Sequence, residues 1–322
     1  MTEALLLLVK NLMAPAVLAF AIGFLAVRVK SDLRVPEALS QTLSLYLLLA
    51  IGIKGGMALK AADLGALAVP LVVTLLVGVG RTFSSFGAAR LVLKARRADA
   101  AALAAHYGSV SALTFIAAKD FAELRYGGDV GVLVGLLAVL EIPALILAVW
   151  LSADRRQGGG SVGSVLHEVL FGKSVVLLVG GLLIGLLSPE AALARTTPFF
   201  VDLFHGALVL LLLDLGSHAA RQLELEGGLP WRWTVLALLL PLVHGVLGVL
   251  LGRALGFDPA MTVVFAAMCA SGSYIAAPAA MRIALPNAQL ARCLIASLGI
   301  TFPFNLTLGI PLFGLLTEAL AG

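Results

Sequence analysis

Apolar stretches of about twenty residues follow one another along this 322-residue chain, separated by short polar connections. A stretch of that length wound as a helix spans the hydrocarbon core of a bilayer. In lipid each spanning segment must satisfy its own backbone hydrogen bonds, and a helix does so. The expected class is therefore all-α, integral to the membrane, with the lipid bilayer as its first partner. Hydrophobic residues make up 61% of the chain and charged residues 12%, against about a quarter charged in soluble domains. The net charge of +4 consequently carries no message about nucleic acid, and only the placement of Lys and Arg is informative. Cys269 and Cys293 lie in or beside apolar spans without metal-ligand spacing, so neither a disulfide nor a zinc site is expected. Leu5 to Val27 has no basic residues ahead of it and is too long for a signal-peptide core; it reads as a retained first helix.

Ten spans are expected, near 5–27, 38–58, 65–93, 99–119, 130–151, 165–187, 199–222, 231–255, 260–283 and 289–320. The tenth is overlong and holds Pro303 and Pro311, which predicts a kink or tilt. Between the fifth and sixth lies Ser152–Ser164, a polar connection containing Gly158-Gly159-Gly160. The halves on either side resemble each other. Gly55-Gly56-Met57-Ala58-Leu59-Lys60 corresponds to Gly216-Ser217-His218-Ala219-Ala220-Arg221, and Glu141-Ile142-Pro143 to Thr301-Phe302-Pro303. A repeat of five spans, an odd number, must place its second copy upside down, as in many secondary carriers. The predicted organisation is a first repeat over 1–151, a cytoplasmic linker over 152–164 and an inverted repeat over 165–322. Lys and Arg cluster on the odd-numbered connections, with half as many on the other side. The positive-inside rule then makes the odd connections cytoplasmic and puts both termini outside.

Two spans carry polar residues at their centres. The ninth holds Cys269-Ala270-Ser271-Gly272-Ser273-Tyr274-Ile275-Ala276-Ala277-Pro278, and the fourth holds His106-Tyr107-Gly108-Ser109-Val110-Ser111-Ala112-Leu113-Thr114. Gly and Pro loosen a helix, and a break at membrane depth is tolerated only where it faces protein or a water-filled cavity. Discontinuous helices in opposed repeats form the substrate and ion sites of many transporters. Their half-helix N-termini aim free N–H groups and positive dipole ends at one point, and hydroxyls add hydrogen bonds without charge. Such a site favours a small anion, and Ser109, Ser111, Thr114, Ser271 and Ser273 are its candidates. A lone intramembrane serine more often only glues helices together; the matched pairing of two clusters is what favours function. Glu141, mid-span, must face a cavity, pair with a charge or be protonated. It is either a cation ligand or proton carrier, or the structural partner of Arg81. Asp214, His218 and His244 read as structural, and His106 could face the site. No paired acids at helical spacing, no His-Glu-x-x-His and no Ser/Lys or Ser/His dyad suggest an enzyme.

The chain resembles the sodium-dependent bicarbonate transporter family, known from cyanobacterial carbon concentration, over essentially its whole length. The resemblance rests on Gly55-Gly56-Met57-Ala58, the Gly108–Thr114 stretch, Ile142-Pro143-Ala144-Leu145 and Val243-His244-Gly245. It continues through Ala270–Pro278 with Met281-Arg282, and Ile310-Pro311-Leu312-Phe313. It implies ten helices in two inverted five-helix repeats with discontinuous fourth and ninth helices, divided into core and gate domains, often trimeric, in a bacterial inner membrane. It also implies elevator-type symport of bicarbonate with sodium. The anion would lie at Ser109, Val110, Ser111, Ser271, Gly272 and Ser273, and sodium near Thr114, Glu141, Tyr274, Thr301 and Asn305. Tyr274 stands where cyanobacterial members place an aspartate, which removes one sodium-binding carboxylate. Glu141 stands where they have another, one methylene longer. A PII-like regulatory partner belongs to the family picture, but Ser152–Ser164 is short where cyanobacterial members have a long insert, which weakens that expectation. The alternatives are another small carboxylate or inorganic anion coupled to protons, and an uncoupled channel or exchanger.

Overall fold

The computed structural model describes residues 9–61, 64–128, 130–152, 167 and 171–320. These residues form helices, with no strand among them. The first half gives α1 (Pro15–Arg28), α2 (Glu37–Ala61), α3 (Ala68–Val92), α4 (Arg97–Gly108), α5 (Ala112–Tyr126) and α6 (Leu133–Ser152). The second gives α7 (Lys173–Leu187), α8 (Phe204–Leu225), α9 (Trp231–Ala254), α10 (Pro259–Ala270), α11 (Ala276–Ala284) and α12 (Leu290–Ala319). Residues 5–8 of the expected first span and the four before them, the Ser152–Ser164 connection beyond Ser152, and parts of the sixth span up to residue 170 lie outside the described residues.

Helix starts follow local chemistry. Pro15 and Pro259 occupy first-turn positions, where the missing N–H costs nothing. Asp258 caps α10, its side chain accepting from Met261 N at 2.8 Å. Among the described residues seven segments are long and apolar enough to cross a membrane, with α4–α5 and α12 each counted as one 30-residue segment; α1, Val175–Leu187 and α10 are shorter apolar helices. The expected fourth span, 99–119, runs on to Tyr126 through its break. The tenth neither stops nor breaks at its prolines: α12 passes through wide π-type turns at Ile295–Thr301 and Asn305–Gly309. The wider turns absorb the hydrogen bonds that Pro303 and Pro311 cannot make.

Packing divides the helices into two groups. In one, α1 lies along α8 and α2 along α7. Glycines set the approach: a Cβ on Gly52 would lie 2.9 Å from Gly181 Cα, and one on Gly185 would lie 3.0 Å from Gly56 Cα. Gly23 and Gly216 similarly face the backbones of Leu213 and Phe20. Small residues let helix backbones come together where lipid supplies no hydrophobic drive. In the other group α3 packs on α4 and α6, α4 on α6, α9 on α10 and α12, and α10 on α12, while α5 crosses α10 and α4 contacts α11. Adding or subtracting six from each helix number turns every one of these pairings into another. Within Arg97–Tyr126, 94% of the most apolar 18-residue window is buried, which puts the first broken helix at the centre rather than against lipid.

Polar contacts mark the two ends of the bundle. At one, Arg221 reaches Leu33 O, Arg97 reaches Leu151 O, and Asp99 binds Arg96 and the Gln289 amide, so the odd connections gather there. At the other, Asn11 holds Leu306 O, His205 meets Asp120, and Arg125 with Tyr126 binds Glu318.

Candidate functional site

The two expected breaks exist and touch. α4 stops at Gly108, where a Cβ would run into the Thr82 side chain, and Ser109 turns extended. α10 stops at Ala270, followed by extended Ser271. Ser111 N donates to Ser271 Oγ at 3.0 Å, and Ser273 N donates to the His106 carbonyl at 2.7 Å. Ser271 Oγ in turn donates to Met268 O at 2.8 Å. Part of the backbone freed by each break is thus satisfied by the other, as burial in a membrane interior demands.

Beyond the crossing the chain restarts twice as a helix, with Ser111 as the N-cap of α5 and Ser273, two residues ahead of the Ile275 N-cap, bound to the first turn of α11. Ser111 Oγ accepts from Thr114 N and Ser273 Oγ from Ala277 N, both at 3.1 Å. The first residues of the restarted helices, Ala112 and Ala276, border one shared cavity. Two helix N-termini with their orphan N–H groups therefore face the same small space. The cavity measures about 20 Å³, enough for one water-sized particle. Val110, Ser111, Ser273, Tyr274 and Glu141 line it, and Leu48 of α2 and Leu178 of α7 close it from the glycine-paired group. The site thus sits where the two helix groups meet.

Five of the eleven candidates are brought together there. The other six serve the crossing or its support. Ser271 joins the two breaks, and Gly272 packs 3.2 Å, by its missing Cβ, from the Ser297 side chain. Ser109 Oγ is buried without a hydrogen-bond partner in the described structure. Thr114 is buried one turn into α5, its amide held by the Ser111 cap. Thr301 donates to Ala237 O at 2.6 Å and accepts from Tyr107 Oη at 2.6 Å. Asn305 donates to Ala270 O at 2.9 Å, and its Oδ1 has no partner among the described residues. Tyr274 packs edge-on against Phe302, with its hydroxyl near Ser111 but outside hydrogen-bond geometry.

Among the described residues no ion pair joins Glu141 to Arg81, so the alternative of a structural pair gives way to a different arrangement. Arg81 is 1% exposed and its Nη2 donates to both Ser109 O at 3.1 Å and Ser271 O at 2.7 Å. It clasps the carbonyl ends of α4 and α10. A charged mid-span residue was visible in the sequence, but its clasp depends on the crossing and had no local signal; the same holds for Leu48 and Leu178. His244 bonds Ser84 at 2.8 Å, His106 bonds Ala102 O at 2.8 Å, and Asp214 lies 3.2 Å from His218 within one helix. A wider cleft of about 780 Å³ opens between α1, α5, α8 and α12, with Asp120, Arg125 and His205 on its walls. No group of three or more His, Cys, Asp or Glu gathers to hold a metal among the described residues.

No curated protein matches the chain. The family comparison, in contrast, spans both broken helices and both helix groups: the Na+-dependent bicarbonate transporter superfamily matches residues 15–318, and the chain belongs to that superfamily.

Proposed function

We propose that the chain is a secondary transporter that takes up bicarbonate together with sodium, binding the anion between the two restarted helices. One observation carries the reading: Ser111, Ser273 and the first residues of α5 and α11 border the same cavity as Glu141. Helix N-termini attract the anion, whereas Glu141 repels it. Two unit charges 4 Å apart at an effective dielectric of 20 repel by about 4 kcal/mol. A sodium ion between them turns that repulsion into attraction, so anion and cation bind together or not at all. Glu141, with nearby hydroxyl and carbonyl oxygens, supplies the hard ligands sodium prefers.

A cavity of about 20 Å³ is too small for bicarbonate until Leu48 and Leu178 draw back. These leucines belong to the group α1, α2, α7 and α8, and the anion ligands to the remaining helices. Sliding of the second group past the first opens the site and is the elevator step of the proposed cycle. The exchangeable packing pairs support two inverted repeats, 1–151 and 165–322, and a count of ten spans. The charge bias supports both termini outside a bacterial inner membrane, and the resemblance supports a homotrimer. A proton is the second candidate for coupling: Glu141 borders the cavity without a basic ion-pair partner among the described residues, and its protonation would also remove the repulsion.

Thermal unfolding of the purified protein with bicarbonate, nitrate, acetate or chloride, each in sodium and in potassium, tests the assignment. Stabilisation by bicarbonate that requires sodium is expected. Stabilisation by another anion alone would overturn the substrate, and equal effects in both salts would overturn sodium coupling.

A further inference from the structure

Arg81 is the strongest unexplained feature of the membrane interior. It is 1% exposed, and no carboxylate pairs with it among the described residues. Its titratable neighbours are Cys269 and His244, neither of which offers a countercharge as a neutral group. Burying a cation without compensation is costly, so the position must supply negative potential. The source is visible: Nη2 bonds the C-cap carbonyls of α4 and α10, at Ser109 and Ser271, where two helix dipoles end. Unwound carbonyls at half-helix C-termini are the groups that hold a monovalent cation in carriers built from broken helices. Here a guanidinium already occupies them. Nε and Nη1 have no hydrogen-bond partner among the described residues, leaving donors and a net positive charge at the crossing.

We infer that Arg81 is a tethered cation of the anion site. It fills the carbonyl position between the two half-helix C-termini that a free sodium ion would otherwise take, and it supplies fixed positive charge to a bound anion. The inference rests on the proposed anion site, and it limits free coupling ions to the one beside Glu141. Arg81 acts by charge and position, so a merely structural role predicts different results from the following tests.

The direct test compares wild type, Arg81→Gln and Arg81→Lys by thermal unfolding in sodium and in potassium, without any anion substrate, so it does not depend on bicarbonate being the cargo. Arg81→Gln vacates the carbonyls and should gain a sodium-over-potassium rise in unfolding temperature of about 2 °C or more beyond any in wild type. Arg81→Lys, which keeps the charge, should not. The same sodium response in Arg81→Gln as in wild type would overturn the inference. Should Arg81→Gln fail to fold in either salt, labelled sodium and bicarbonate uptake by wild type decides the matter. At most one sodium per bicarbonate is expected, and two or more would refute the tethered cation. Failure of wild type to take up bicarbonate under any gradient would count against the substrate reading, while the unfolding comparison would still decide the role of Arg81.

Discussion

Glu141→Gln replaces a carboxylate by an amide of nearly equal size, and so removes charge with little change in packing. Glu141 is 7% exposed and borders a cavity with room for one water-sized particle. An ion held there touches the carboxylate directly rather than through solvent. A contact to a charged group contributes about 1.5–3 kcal/mol net, less than the raw Coulomb value because both partners lose water. At about 1.4 kcal/mol per decade, the sodium concentration giving half-maximal bicarbonate uptake should rise roughly 10- to 150-fold. Maximal uptake at saturating sodium should fall much less if the helices move as before. The assay is sodium-titrated uptake of labelled bicarbonate into proteoliposomes, with unfolding temperature as the control for folding. An unchanged sodium requirement in a folded variant would refute the placement of the cation beside Glu141. Loss of proton-driven uptake, with sodium dependence intact, would instead assign Glu141 to proton coupling.

Other substitutions test neighbouring parts of the account. Ser111→Ala loses a helix cap and Ser273→Ala a hydrogen bond to the Ala277 amide, each at about 1 kcal/mol of stability, and each should weaken bicarbonate binding about tenfold; unchanged affinity in both would remove the serines from the site. Tyr274→Asp places an acid on the cavity wall and should lower the sodium concentration needed for uptake, whereas no change would separate Tyr274 from the ion path. Gly185→Ala puts a methyl group against the α2 backbone and should destabilise the protein by about 1–3 kcal/mol, read as a lower unfolding temperature. An unaltered unfolding temperature there would show that the α2–α7 contact can relax.

The apolar lengths disclosed most of the helices, because lipid leaves a spanning segment few alternatives. The breaks were legible for a related reason: Gly108 with Ser109, and Ser271 with Gly272, interrupt stretches otherwise suited to cross the bilayer. Internal likeness paired Gly55 with Gly216, and both glycines turn out to sit in helix contacts, Gly55 against the Val134 side chain and Gly216 against the Phe20 backbone. What the sequence hid is set by three-dimensional crossing. Thr301 and Asn305 match Glu141 and its surroundings in linear order, yet their polar atoms hold Ala237 O and Ala270 O rather than the cavity. Arg81 looked like a partner for Glu141 because both are charged and mid-span. Which carbonyls it meets depends on two helix ends 162 residues apart in the chain being brought together. The π-type turns of α12 were equally hidden, since two prolines predict disruption without saying whether a helix kinks or widens.

The most direct test of the central claim is uptake of labelled bicarbonate into proteoliposomes under an imposed sodium gradient, with potassium and proton gradients as controls. The account predicts that an inward sodium gradient drives bicarbonate above its external concentration and that potassium does not. Bicarbonate that only equilibrates across the membrane, at a rate indifferent to sodium, would contradict it.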